Sequence, residues 1–322
     1  MRRLWMLAAF AVVSLAPLSG CLTGEDGGGG GGGGPISFVQ GFVYVRGEDI
    51  YVADKQDYTR PNSLTNSGGN KHPSLSRDGR SVVFVHTDTA TGSQQIRTVA
   101  AAGSGAPRTV YTSDDTQKNF RTPVFSPDGT KIVFAFDKGT GTNSRLALVN
   151  TDGSGFTELT SGTLSYAAPV FYPDGSGVLA IAGSSTNYNQ LQKVAVPGGT
   201  TSTVASSLDS KVAYIANRAV LSPDGTKVAF DGRLASNTSV ARIFVMDLGT
   251  RVTNQLTNYP GDATAQDGFP TWVSNTQVGF TSNSGGADNV YILPASSVET
   301  SGGLTVPSGS QPWFGGGTGS TS

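Results

Sequence analysis

Beyond the N-terminal segment, the chain alternates short apolar runs with polar, turn-forming stretches. One set of runs is Val82–Val85, Ile132–Phe136, Val178–Ile181, Val228–Phe230 and Val278–Phe280. A second set follows about ten residues later: Ile96–Val99, Leu146–Val149, Leu191–Val196, Ile243–Met246 and Val290–Leu293. A third, weaker set carries Val110, Leu159, Val204, Leu256 and Leu304. The runs are rich in β-branched and aromatic residues and only three to six residues long, which predicts strands. No long stretch of period 3.6 appears after the N-terminal segment, so helices are expected to be minor.

The runs belong to a repeat. Pro73-Ser-Leu-Ser-Arg-Asp-Gly79, Pro123-Val-Phe-Ser-Pro-Asp-Gly129, Pro169-Val-Phe-Tyr-Pro-Asp-Gly175 and Ala219-Val-Leu-Ser-Pro-Asp-Gly225 align without gaps, and Pro270-Thr-Trp-Val-Ser-Asn275 is a degenerate fifth copy. Their spacing is about 50 residues. Ser-Pro-Asp-Gly suits a type I turn, with Ser first, Pro second and Gly fourth. Each repeat therefore supplies a first strand, this turn and three further strands, the content of one propeller blade. At the N-terminal end, Phe42–Val45, Ile50–Ala53 and Leu64-Thr65 match the later strands but lack a first one. Gln311-Pro312-Trp313-Phe314 resembles a first strand with nothing after it. The expected fold is all-β: a six-bladed β-propeller of four-stranded blades over residues 36–315, closed by the C-terminal strand in the first blade.

The segments ending in Ser-Pro-Asp-Gly, each followed by an apolar strand, resemble the TolB-type propeller repeat, a relative of the WD repeat without its Trp-Asp signature. The resemblance covers residues of about 38–315. It implies the fold but no one function, since such propellers occur in binding proteins, peptidases and pectate-type lyases. TolB has an α/β domain before its propeller and the peptidases carry a hydrolase domain; neither is evident in this sequence, which suggests a stand-alone propeller.

The N-terminus reads as an address. Arg2 and Arg3 precede an apolar stretch from Leu4 to Leu15, too short to span a bilayer core of about 30 Å. Leu18-Ser19-Gly20-Cys21 resembles the lipobox of bacterial lipoproteins, which implies a signal peptide over residues 1–20 and acylation of Cys21. Cys21 is the only cysteine, so no internal disulfide can form. Residues 21–35 are expected to be a tether containing eight consecutive glycines, with a reach of roughly 20 Å, and residues 316–322 a disordered tail. Leu22 follows the cysteine where an Asp would commonly mark inner-membrane retention, so the expected location is the bacterial cell envelope, lipid-anchored at the outer membrane.

Composition narrows the chemistry. Charged residues make up 14% of the chain and the formal net charge is −1, which excludes a broad basic face for nucleic acid. There are two histidines, His72 and His86. That is too few for the histidine cluster with which the related lyases hold a metal, and no metal or cofactor is expected. No nucleophile elbow appears. Asp78, Asp128, Asp174 and Asp224 are accounted for by their turns. The residues just before each first strand should instead crowd one rim of the central channel: Lys71 and His72, Arg121 and Thr122, Tyr166, Asn217 and Arg218, Asp267 and Phe269. Of these, His72, Arg121, Tyr166, Arg218 and Asp267 are the candidate binding residues, because arginine grips carboxylates and aromatic and arginine side chains dominate binding sites.

These features predict a non-catalytic binding or scaffold lipoprotein, monomeric, engaging an envelope protein or an acidic peptide or glycan. The alternatives are a channel-site enzyme, a polysaccharide lyase or hydrolase, and an inert surface protein. Discriminating assays are partner capture, turnover on a glycan and peptide panel, and native mass spectrometry.

Overall fold

Why are the apolar runs so nearly continuous? In the computed structural model, which describes residues 38–139, 143–184, 187–259, 264–296 and 303–316, they form the middle strands of small sheets that are covered on both faces. The expected signal segment, Cys21 and its tether, and the tail after Gly316 lie outside the described residues.

All described regular structure is β. The first sheet holds β1 (Gln40–Arg46), β2 (Asp49–Asp54) and β3 (Asn62–Ser63). The next holds β4 (Asn70–Leu75), β5 (Ser81–Thr87), β6 (Gln94–Ala100) and β7 (Arg108–Thr112). A third holds β8 (Gln117–Phe125), β9 (Lys131–Lys138), β10 (Ser144–Asn150) and β11 (Thr157–Glu158). There follow β12 (Ser165–Phe171), β13 (Gly177–Ser184), β14 (Asn187–Ala195) and β15 (Thr201–Ala205), then β16 (Val212–Leu221), β17 (Lys227–Leu234), β18 (Asn237–Asp247) and β19 (Thr253–Gln255). These two groups are joined into one eight-stranded sheet by a single residue pair, Tyr188 with Ile215. The last sheet holds β20 (Asp267–Ser274), β21 (Gln277–Ser282), β22 (Asn289–Pro294) and β23 (Gly303–Val306).

The final strand, β24 (Ser310–Gly316), does not join its sequence neighbours. It pairs antiparallel with β1, placing Phe314 opposite Phe42 and Trp313 opposite Val43. The Phe42 and Phe314 rings meet edge to face, their centroids 5.1 Å apart. Head and tail of the ring thus share one sheet, as the repeat pattern predicts, and β1 presents no open inner edge.

Successive sheets pack face to face. Val43, Ile50 and Val52 of the first meet Leu75, Val82 and Phe84 of the second. Val83, Val85 and Ile96 of the second meet Phe125, Ile132 and Phe134 of the third. Phe42 and Tyr44 return to Val290 and Val306 of the last, which closes the circle. Each fully buried phenylalanine contributes about 1.5–3 kcal/mol, and Phe42, Phe84, Phe134, Phe230 and Phe280 are all essentially inaccessible. Trp313 packs against three separate clusters of this core.

The Ser-Pro-Asp-Gly segments are the turns from first to second strand. At Ser126, the hydroxyl donates to the Asp128 carboxylate at 2.5 Å, the Thr130 amide donates to the same oxygen at 3.0 Å, and Gly129 adopts φ +72°. The Ser126 hydroxyl is the leading reason why Asp128 is held below the usual carboxylate range. The repeated aspartates are turn residues, as the pattern implies.

Candidate functional site at the channel mouth

Every first strand carries an irregularity at its entrance. The register of β4, β8, β12 and β20 shifts by one inserted residue where a proline follows, and that of β16 by two residues between Ile215 and Ala219. His72, Thr122, Ala168, Phe269 and Gln311 all sit before a proline with φ between +47° and +55°. A left-handed residue of this kind costs about 1–2 kcal/mol, and bulges of this kind re-aim side chains at sites of function. In β16, Ala219 stands where the others have proline. There the chain is held differently: Asp231 on β17 accepts the backbone amides of Asn217 and Arg218 at 2.9 Å, the Asn217 side-chain amide at 2.7 Å and the Phe269 backbone amide at 3.0 Å. Asp231 is fully buried, and burial pushes its pKa up against the pull of these donors.

The bulges surround a cavity of about 300 Å³. His72, Arg121, Thr122, Ala167, Ala168, Asn217 and Phe269 from the first strands line it, with Asp137, Ser144, Ile181 and Tyr188 from strands further out. Arg121 meets Asp137 with both terminal nitrogens, at 2.7 and 3.3 Å, and donates to the Ser144 hydroxyl at 2.6 Å. Asp137 also accepts from Ser144 at 2.7 Å and Asn119 at 2.8 Å. Burial raises the Asp137 pKa, but the bonds from Arg121, Ser144 and Asn119 outweigh it and hold the group ionised. His72 is pushed down to about 3 by burial and then by the charges of Arg218, Arg121 and Lys71, so it is neutral at physiological pH. Its Nδ1 and the Thr122 hydroxyl are closed to solvent and lack a hydrogen-bond partner.

The five candidates therefore divide. His72 and Arg121 line the cavity. Arg218 lies behind it, 3% exposed, with Nη1 donating to the Pro312 carbonyl at 2.8 Å and its guanidinium over the rings of Phe269 (5.6 Å) and Trp313 (5.2 Å). Burial draws its pKa down to about 10, opposed by the charge of Asp231, and it remains protonated. Tyr166 and Asp267 are not on the rim. Tyr166 is buried in the core, and Asp267 lies in an internal cluster with Arg242 at 3.9 Å and the Tyr259 hydroxyl at 3.4 Å, where burial raises its pKa.

The reason is register. Counting back from the proline of β4, β8, β12 and β20, the residues that line the mouth hold the first or second place, as His72, Thr122, Phe269 and Arg121 do; in β16, which lacks the proline, Arg218 turns away and Asn217 and Ala216 line it instead. The third turns between sheets: Asn70, Phe120, Tyr166 and Asp267 hold this place and all are buried. A slip of one residue exchanges the two faces. His86, as its place at a strand end suggests, is a buried structural residue whose Nδ1 lies 2.9 Å from the Asn70 side-chain oxygen. Cys21 lies outside the described residues.

No family model matches the chain, and no curated protein sequence does. Solved structures do match. TolB from Acinetobacter baumannii superposes with a TM-score of 0.63 at 18% identity, over 87% of this chain and 67% of that one. A protein described as TolB from Agrobacterium tumefaciens gives 0.59 at 15% identity, over 83% and 88%. An oligogalacturonate lyase in complex with manganese gives 0.53 at 14% identity, over 78% and 73%. Among the described residues no three His, Cys, Asp or Glu side chains converge as metal ligands. At these identities the likeness concerns the backbone alone, and the chain has the fold of a TolB-like β-propeller.

Proposed function

We propose that this chain is a non-catalytic binding protein of the bacterial cell envelope, a six-bladed propeller held to a membrane through acylated Cys21. The observation that carries the reading is the mouth cavity. It is bordered by several bulged first strands, yet its ionised pair is locked together, Arg121 on Asp137 at 2.7 Å. A general acid or base needs a pKa near the working pH and a free proton path; His72 is held far below that range. The single Tyr188–Ile215 link between two groups of four strands supports counting the eight-stranded sheet as two blades, hence six in all. The Leu18–Cys21 motif supports the anchor, with the outer membrane as its location, and the pairing of β24 with β1, which joins the two ends of the described chain in one sheet, supports a monomeric state.

The test is capture. Immobilised full chain should retain a specific component of envelope extract, and Ala216→Trp, which fills the mouth, should release it. Equal retention by both proteins, or none by either, overturns the reading.

A further inference from the structure

The chemistry of the mouth also selects among ligands; the inference rests on the binding reading above. We propose that the cavity takes a neutral saccharide unit rather than an acidic group.

The charges argue first. Arg121 is the cationic side chain lining the cavity, and it is held by two bonds to Asp137. An incoming carboxylate would have to displace Asp137 from a bidentate, charge-assisted contact and then sit beside it. Arg218 is behind the Phe269 ring, bonded to the Pro312 carbonyl, and His72 carries no charge at neutral pH. The mouth is thus a set of fixed dipoles without net charge, which suits hydroxyl groups that both donate and accept.

The walls argue second. Phe269 and Tyr188 are aromatic, and Arg218 covers one face of the Phe269 ring. The C–H face of a pyranose packs on such rings while its hydroxyls reach polar neighbours. The Asn217 side chain is oriented for this by its 2.7 Å bond to Asp231. The orphaned Nδ1 of His72 and hydroxyl of Thr122, at the same mouth, are polar capacity that the protein itself leaves unused. The volume, about 300 Å³, is at the small end of ligand sites and fits one or two sugar rings.

The test is titration of the full chain, followed by calorimetry and NMR, with glucose, galactose and N-acetylglucosamine against glucuronate, galacturonate and a hexaglutamate peptide. A neutral sugar should bind at least tenfold more tightly than its uronate. Asn217→Ala and Phe269→Leu should each weaken it at least tenfold while near-ultraviolet circular dichroism stays unchanged. A uronate or the peptide binding as tightly as the neutral sugars overturns the proposal. So does absence of any sugar binding; in that case, envelope capture released by Ala216→Trp would leave the broader binding reading standing.

Discussion

Asp231→Ala should be among the most damaging single changes in the ring. The side chain is inaccessible and accepts four N–H groups, three of them backbone amides from β16 and β20. Without it those donors stay buried and unpaired, at about 1–3 kcal/mol each. The lower end of that range already gives about 4 kcal/mol, against a total stability of about 5–15 kcal/mol for a domain. For a chain of this size the melting temperature should fall by roughly 10 °C. Asp231→Asn supplies the control. It keeps one acceptor oxygen for Asn217 and Arg218 but presents an amide to the Phe269 backbone and the Asn217 side chain, so about half of the loss should remain. The assay is thermal and urea unfolding at pH 7 followed by circular dichroism. A loss below about 1 kcal/mol for the alanine variant would mean that these donors find other partners, and the account of how Asn217 and Phe269 are positioned would fail.

Three further outcomes follow from the same structure. His72 has a folded pKa near 3, below its unfolded value of 6.5; the unfolded chain therefore takes up the proton first, and stability present above pH 6.5 declines as pH falls towards 3. The buried carboxylates Asp231 and Asp267 oppose this trend, so the informative quantity is the difference between wild type and His72→Gln: between pH 7 and 4.5 the variant's melting temperature should fall less, and parallel curves would contradict the assignment. Gly79 and Gly129 occupy equivalent turns with φ of +70° and +72°, but a Cβ on Gly79 would lie 2.5 Å from the Gly316 backbone whereas one on Gly129 meets nothing. Gly129→Ala should cost about 1–2 kcal/mol and Gly79→Ala distinctly more in urea unfolding; equal costs would refute the contact. Trp313→Ala removes a ring shared by three core clusters and the Arg218 stack, and should cost about 3–5 kcal/mol, checked by the urea midpoint.

Much of this architecture is legible in the chain because each blade repeats one local grammar. The Ser-Pro-Asp-Gly turns carry their own hydrogen bonds, and runs such as Ile132–Phe136 announce strands. The pairing of Phe314 with Phe42 could be read from a counting argument: one fragment lacked a first strand and another consisted of little else. The mouth was legible only in part. His72 and Arg121 fall at the right offset from their prolines, but Tyr166 and Asp267 stand one residue further back and turn inward. The bulge that sets this offset arises from left-handed backbone at residues such as Thr122 and Phe269, where the proline that follows would by itself favour extended backbone. Asp137, Ser144 and Tyr188 reach the cavity through pairing between strands, and their places depend on that same register. Arg218 shows the complementary difficulty: an arginine beside an expected rim is buried here because Trp313, Phe269 and a carbonyl from the closing strand receive it.

The pairing of β1 with β24 joins residues more than 260 positions apart. Until Ser310–Gly316 is in place, Phe42 and Tyr44 have no inner neighbour and the Pro312 carbonyl is not there to receive Arg218. Loop closure on this scale makes completion slow relative to the local hairpins. A ring whose first sheet waits for β24 keeps β1 half-paired until late, and a nick anywhere between the blades would leave both fragments clasped by the same sheet.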